Sequence, residues 1–290
     1  MAQNIILDTD IGDNIDDALA LVLALHSPEI NLLGVTTVFR NAPRRAKLAE
    51  HLLHAFGHAD VPVVAGVSKP LLEAFDPQMG RQFEILDDDI WEDRRHAVDF
   101  IIETARVDEE PDGENLLTLV AIGPLTNIAA ALVREPELVS RCRVVLMGGF
   151  AQADYAEWNI KCDPEAAAIV FNSGIEISMI GLDVTLQTNL SAEQIALFAN
   201  ATTPTTQLLA QFIELWQSET KRTELTLHDP LALMTIWDDC VRFEDKRIEV
   251  ALCGEDRGKT LVVEGEPNAR VAVEVNAEIA VERFLNRVLK

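Results

Sequence analysis

The run "NIILDTDIGDNIDDALALVLALHS", residues 4–27, changes its hydrophobic period halfway along. "NIILD" is a short apolar strand, and "DDALALVLALHS" is apolar on nearly every side, as a buried helix is. A strand apolar on both faces belongs to a parallel sheet covered on both sides. Between strand and helix stand Asp8, Asp10, Asp13, Asp16 and Asp17. These carboxylates repel one another at neutral pH. Either water solvates them on an open turn, or a cation gathers them.

Outward from this unit the same alternation continues. "INLLGVTTVF", "VPVVAG", "LLTLVAIG", "RVVLMGG" and "IEISMIG" read as strands, separated by the helical runs "RRAKLAEHLLHAFG", "AVDFIIETARV", "LTNIAAALVRE" and "PEAAAIVFNSG". Repeated βα units predict an α/β fold, an open, mostly parallel doubly wound sheet with helices on both faces, in a single domain over residues 1–290. After residue 190 the order changes. "SAEQIALFAN", "TTQLLAQFIELWQSETKR" and "DPLALMTIW" are helical, then "RIEVALC", "TLVVE" and "RVAVEV" are strands before a terminal helix. The segment from Phe75 to Asp93 has no clear period and is long for a loop, which suits a lid or active-site loop.

Composition narrows the partners. Among 290 residues, 48 acidic side chains oppose 24 basic ones, a net charge of -24. Such a surface repels nucleic acid and anionic lipid but tolerates metal ions and neutral or cationic small molecules. The four cysteines form no C-x-x-C pair; Cys142, Cys162 and Cys253 sit in or near apolar runs, where buried free thiols of a reduced cytosol are expected. Neither a signal peptide nor a membrane-length apolar run is visible, so a cytoplasmic location is expected. His51, His54 and His58 share a helical face, which reads as solvated.

The acidic cluster has three readings. Asp8 and Asp10 share one strand face at its carboxyl end, where open α/β sheets bind ligands. Asp16 and Asp17 open the next helix, where the dipole favours carboxylates. An EF-hand fails, because its required Gly and Glu positions hold Asp13 and Leu19, or Ile15 and Leu21. An aspartyl phosphotransferase has "DTD" after a strand but no need for the Asp16–Asp17 pair. N-caps on a solvated turn are the third reading.

"DTDIG", "DDALAL", "GVTTVFRN", "AIGPLTN", "LMGG", "AEWNIKCDPEAA" and "HDPLAL" follow in order at strand ends and helix starts. Together they resemble the inosine-uridine nucleoside hydrolase family, from about Ile5 to the chain end, strongly through Leu233. The resemblance implies one Ca²⁺ bound by Asp10, Asp17, the main-chain oxygen of Thr126 and Asp229. It implies hydrolysis of the N-glycosidic bond of a small-molecule ribonucleoside by water activated at that ion, through an oxocarbenium-like state. Asp10 is then the base and His228 activates the leaving group. Asp16, Asn41, Glu157 and Asn159 hold the ribose hydroxyls, and Asp8 supports the ion's ligands. Trp216 is a candidate wall of the base pocket, and Trp158 falls near the sugar. A homodimer or homotetramer is implied as well.

The chain departs from the family pattern in four places. Five residues, "IGDNI", separate Asp10 from the Asp pair where three are commonest. Arg40 stands where Gly is usual. The loop "FAQADY" lacks a Gly-Asn that contacts the 5'-hydroxyl, leaving Gln152 or Asp154 as substitutes. The segment 75–93 lacks the usual His-Gly and Gly-Leu-Gly. Two further functions therefore stay open: hydrolysis of another riboside, such as a modified nucleoside or a nicotinamide riboside, and a catalytically silent nucleoside- or ribose-binding protein.

Overall fold

The computed structural model describes residues 2–72, 80–86, 95–107, 116–152, 155–200 and 202–289. Strand β1 (Gln3–Thr9) shows why the sheet is covered twice: Ile5 and Leu7 enter one core and Ile6 the other. The same two-residue alternation divides β4 (Leu117–Ala121) and β5 (Cys142–Met147). Val120, Val145 and Met147 join the first core, while Leu119, Ala121, Val144 and Leu146 join the second.

The other strands of the main sheet are β2 (Ile30–Thr37), β3 (Val63–Ala65), β6 (Glu176–Ile180), β9 (Val241–Val250), β10 (Thr260–Val263) and β11 (Ala269–Val275). A two-stranded ribbon is formed by β7 (Asn189–Leu190) and β8 (Leu225–Thr226). The nine-stranded sheet runs β10-β9-β11-β6-β5-β4-β1-β2-β3. It is parallel from β3 to β11 and antiparallel only where β9 pairs with β11 and β10. This is the mostly parallel α/β sheet expected from the sequence.

Helix α1 (Asp16–Leu25) is buried from Asp16 to Ala24 and packs against α10 (His228–Met234) and α11 (Ala277–Val288). The first core also holds side chains of α2 (Ala42–Ala55), α8 (Ala192–Ala199) and α9 (Pro204–Thr220). The opposite face carries α3 (Ala97–Arg106), α4 (Thr126–Arg134) and α6 (Pro164–Asn172). Two short helices, α5 (Trp158–Cys162) and α7 (Leu182–Thr185), complete the chain order.

The strand expected over residues 247–253 instead spans Val241–Val250. Its first half, "VRFEDKR", is too charged to read as a strand, yet its backbone pairs with β11. Cys142 and Cys240 are buried, whereas Cys253 is exposed, because the turn after β9 leaves the sheet. No helix among the described residues is long and apolar enough to cross a membrane.

Strand order locates the ligand site. β2 lies on one side of β1 and β4 on the other, so successive connections leave β1 in opposite directions. A crevice opens beyond the carboxyl ends of strands at such a switch point.

Candidate active site

At that switch point lies a cleft of about 500 Å³. Its floor and walls come from the segment after β1, the ends of β4 and β5, the start of α1, the segment before and within α5, the last turn of α9 and the start of α10.

The carboxylates are buried here rather than solvated. Asp16, Asp17 and Asp229 each bring one oxygen within 4.8 Å of the others, forming a group able to hold a metal ion. Asp10 stands outside this trio but lines the same cleft. Burial, with Asp10 and Asp16 adding repulsion, holds the Asp17 carboxyl well above its ordinary value. Burial followed by the charges of Asp16, Asp17 and Asp10 does the same to Asp229. Asp16 is pushed up to about 7 by burial and by Asp10. Asp10 rises to about 6, chiefly by burial, with Arg45 opposing the shift.

The arrangement suits a cation by three observations. These four carboxylates have no ion-pair partner within 4 Å among the described residues. Asp16 Oδ1 is buried and accepts no hydrogen bond. All donors are hard oxygens, the set that Ca²⁺ or Mg²⁺ takes. A solvated turn of N-caps does not describe Asp16 and Asp17, which are only 3% exposed and line the cleft.

Neighbours aim these groups. Thr9 Oγ1 donates to Asp17 Oδ1 at 2.5 Å. Asp8 is fully buried away from the trio, and its Oδ1 accepts from Thr36 Oγ1 at 2.5 Å and Asn127 Nδ2 at 2.7 Å. Asn127 also donates to the Thr37 carbonyl and accepts from Val67 N, tying β1, β2 and α4 together beneath the site. Arg45, fully buried, donates to the carbonyls of Phe39, Asp10 and Ile11 and to Asp13. Asn127 closes the "AIGPLTN" stretch but has no role assigned to it there, and Arg45 carries no signal in the sequence.

Two site residues expected from the motifs lie elsewhere. Thr126 is the first residue of α4, so its carbonyl points along the helix into the main-chain ladder. Its hydroxyl donates to Asp163, and it does not line the cleft. Ile122, at the end of β4, lines the cleft instead, and its carbonyl accepts from Asn159 Nδ2 at 3.0 Å. Asn41 is exposed and caps α2, its Oδ1 accepting from Arg44 N, while its neighbour Arg40 lines the cleft.

Glu157 and Asn159 are in place. Glu157 caps α5, accepting from the main-chain N–H groups of Gly149, Asn159 and Ile160. Asn159 Nδ2 donates to the Ile122 and Met147 carbonyls, leaving its oxygen for the cleft. Trp158 is half-exposed and lines the cleft. Trp216 and His228 form a further wall with Thr220 and Arg222. Burial, with Arg222 nearby, lowers the His228 pKa to about 4, so the ring is neutral at physiological pH. Its Nδ1 lies 2.8 Å from Thr185 Oγ1.

Gln152, one substitute for the absent 5'-side asparagine, is exposed and outside the cleft. Asp154 and most of the segment 75–93 lie outside the described residues. Gly80–Leu86 is described, and it forms a 3₁₀ turn (Arg81–Ile85) against the loop after β1.

A doubly wound sheet with a carboxylate-floored cleft at its switch point defines a ligand-binding α/β protein. A plant nucleoside hydrolase has the same architecture, with a TM-score of 0.88 and 26% identity over 100% of this chain and 99% of that one. A purine-preferring ribonucleoside hydrolase from Gardnerella vaginalis gives 0.82 and 30%, over 99% and 98% of the two chains. The non-specific ribonucleoside hydrolase RihC of Salmonella enteritidis is 37% identical over 96% of this chain and 92% of its own length. The sequence profile of the inosine-uridine preferring nucleoside hydrolase family matches residues 5–282. The chain belongs to that family, and with it to the N-glycosyl hydrolases.

Proposed function

We propose that this chain is a cation-dependent ribonucleoside hydrolase, with Ca²⁺ as its ion. The observation that carries the reading is the group of buried carboxylates facing a cleft whose other wall holds Trp216 and His228. Asp17 and Asp229 would hold the ion, with Asp16, Asp10 and the Ile122 carbonyl as the further oxygens the cleft offers. When bound, such an ion supplies a local double positive charge that acidifies water beside it.

The chain's own residues do the rest. Asp10, with a pKa near neutrality, is poised to accept a proton from the attacking water. Asp16 Oδ1, unpartnered, is free to accept from a ribose hydroxyl. As the C1'–N bond lengthens, positive charge builds on the ribose, and the surrounding carboxylates stabilise it. Trp216 offers its ring to the base. His228 is a neutral hydrogen-bond donor to the departing base rather than a charged acid. A cytoplasmic setting suits the free cysteines.

The test is base and ribose release from purine and pyrimidine ribonucleosides, after exhaustive chelation and after adding back Ca²⁺ or Mg²⁺. Activity should vanish and return with the ion. A site that hydrogen-bonds a hydroxyl rejects the analogue lacking it by about 10⁴-fold. Uridine should therefore be cleaved far faster than deoxyuridine. Full activity in a chelated preparation free of metal, or equal kcat/KM for the two sugars, would contradict the reading.

A further inference from the structure

Helix α9 ends at the cleft. Its last two turns bring Trp216 and Thr220 there, and residues 221–224 lead straight into β8 and on to His228. Lys221 turns the chain with φ of 58°, a left-handed cap that side chains seldom adopt. Its ammonium folds back onto the Ser218 carbonyl at 2.5 Å, so its charge is used at the helix end. Arg222 goes the other way. Its main-chain N–H donates to Thr220 Oγ1, which itself donates to the Trp216 carbonyl. This relay ties the Arg222 backbone to the turn that carries Trp216, and the Arg222 side chain lines the cleft with His228.

The Arg222 guanidinium is uncommitted. Among the described residues no carboxylate lies within 4 Å of it, although the chain carries a net charge of -24. Glu219, three positions away, accepts from Arg81 N instead. Asp229, beside His228, belongs to the carboxylate trio that suits a cation. The other cations lining the cleft sit on different elements: Arg40 pairs with Asp13, and Lys161 lies on α5, which Glu157 caps. The Arg222 charge reaches His228, where it opposes protonation of the ring. When an N-glycosidic bond breaks, its electron pair leaves with the base, so the sugar turns positive and the base negative. Carboxylates on the floor and a guanidinium on the wall with Trp216 match that separation of charge. A hydrogen bond from His228 shares the negative charge but does not balance it. A guanidinium does both, because it is charged and it donates.

We propose that Arg222 is a catalytic residue that pairs with the departing base and stabilises the negative charge it gains. The proposal rests on the ribonucleoside hydrolase reading and adds a group on its leaving-base side. In the step, the C1'–N bond breaks with both electrons going to the nitrogen, and the water oxygen bonds to C1'. One water proton stays on the new hydroxyl and the other ends on the base. Arg222 keeps its own protons throughout, because a guanidinium is not deprotonated in proteins. It acts as a fixed charge and not as an acid.

The experiment measures kcat and KM for uridine and for p-nitrophenyl riboside in the full chain, in Arg222→Gln and in Arg222→Lys, at saturating Ca²⁺. The base of uridine needs the charge, whereas p-nitrophenolate is a stable anion without it. Arg222→Gln, at an exposed position, should lower kcat for uridine by about 10²-fold. It should lower kcat for p-nitrophenyl riboside by less than about threefold. Arg222→Lys restores the charge and should recover part of the loss. A second readout needs no turnover. By titration calorimetry 5-nitrouracil, an anion at neutral pH, should bind about tenfold tighter than neutral uracil, and Arg222→Gln should remove that preference. A raised KM with unchanged kcat, or equal losses on both substrates, would overturn the inference and leave the hydrolase reading intact. So would a preference for 5-nitrouracil that survives Arg222→Gln. Cleavage of neither substrate by the unaltered chain would overturn the hydrolase reading itself.

Discussion

Among the described residues, His228 Nδ1 pairs with Thr185 Oγ1, at 2.8 Å. With Thr185 as the donor in that pair the imidazole proton sits on Nε2, from which a neutral ring can donate to a leaving base. A natural base needs that donor and p-nitrophenolate does not. His228→Ala should lower kcat for a natural nucleoside by about 10²–10⁴-fold. It should leave p-nitrophenyl riboside cleavage within about tenfold. Equal losses on both substrates would assign the ring to positioning Asp229. Arg45 works in the opposite way, through stability. Its guanidinium satisfies three main-chain carbonyls and Asp13 without touching solvent. Arg45→Met removes every one of those donors at once, which should cost about 3–5 kcal/mol. Urea unfolding would read it, and a loss under about 1 kcal/mol would mean the carbonyls find water instead.

At the scale of elements, the five residues between Asp10 and Asp16 act as a clasp. Asp13 accepts from Gly80 N, and the Asn14 carbonyl accepts from Gln82 Nε2, which holds the 3₁₀ turn against the loop. Arg81 in turn donates from its main chain to Glu219 and from its side chain to Ser218, on the helix that carries Trp216. The rim of the cleft and its base-facing wall are thus joined through one short turn. Gly12 is the narrowest point: its φ is 119°, and an added Cβ would lie 2.1 Å from Phe83 Cζ. Gly12→Ala should destabilise by about 1–3 kcal/mol through strain and overlap. Adding Phe83→Ala should recover the overlap part, so the double variant should lose less than the sum of the singles. Strict additivity in thermal melts would show that Phe83 does not press on Gly12. The clasp is written in the sequence as an extra stretch of "IGDNI", but its partner turn is not, because residues 80–86 have no period of their own.

For the whole molecule, the buried carboxylates couple stability to pH and to the cation. Asp8 and Asp16 have pKa values raised from 3.8 to about 7, and Asp10 to about 6. Between the ordinary value and these raised ones, the folded chain binds more protons than the unfolded chain. The stability of the metal-free protein therefore falls as pH rises through that window. A cation competes with protons for the same oxygens and stabilises only the folded state. Added Ca²⁺ should raise Tm more at about pH 8 than at about pH 5. Asp17→Ala should abolish the Ca²⁺-dependent shift at both. A Tm in the chelated protein that climbs from the lower to the higher pH would refute this coupling.

The sequence by itself determined the layered α/β fold and the position of the acid cluster in it. Strand and helix periods report how each residue alternates between core and surface, and that is a local property. It placed Asp10, Asp16, Asp17, Glu157 and Asp229 at strand ends and helix starts, where the structure brings them into one cleft. The tertiary structure decided what local pattern does not encode. Asp8 is held by Asn127 from 119 positions away, and "APRRAK" reads as exposed helix although Arg45 is wholly buried beneath the cleft. Likewise, Ile122 rather than Thr126 and Arg40 rather than Asn41 face the ligand space. A shift of one to four residues about a strand end or a helix start turns a group from the cleft into the backbone ladder, and only the packed chain sets that turn.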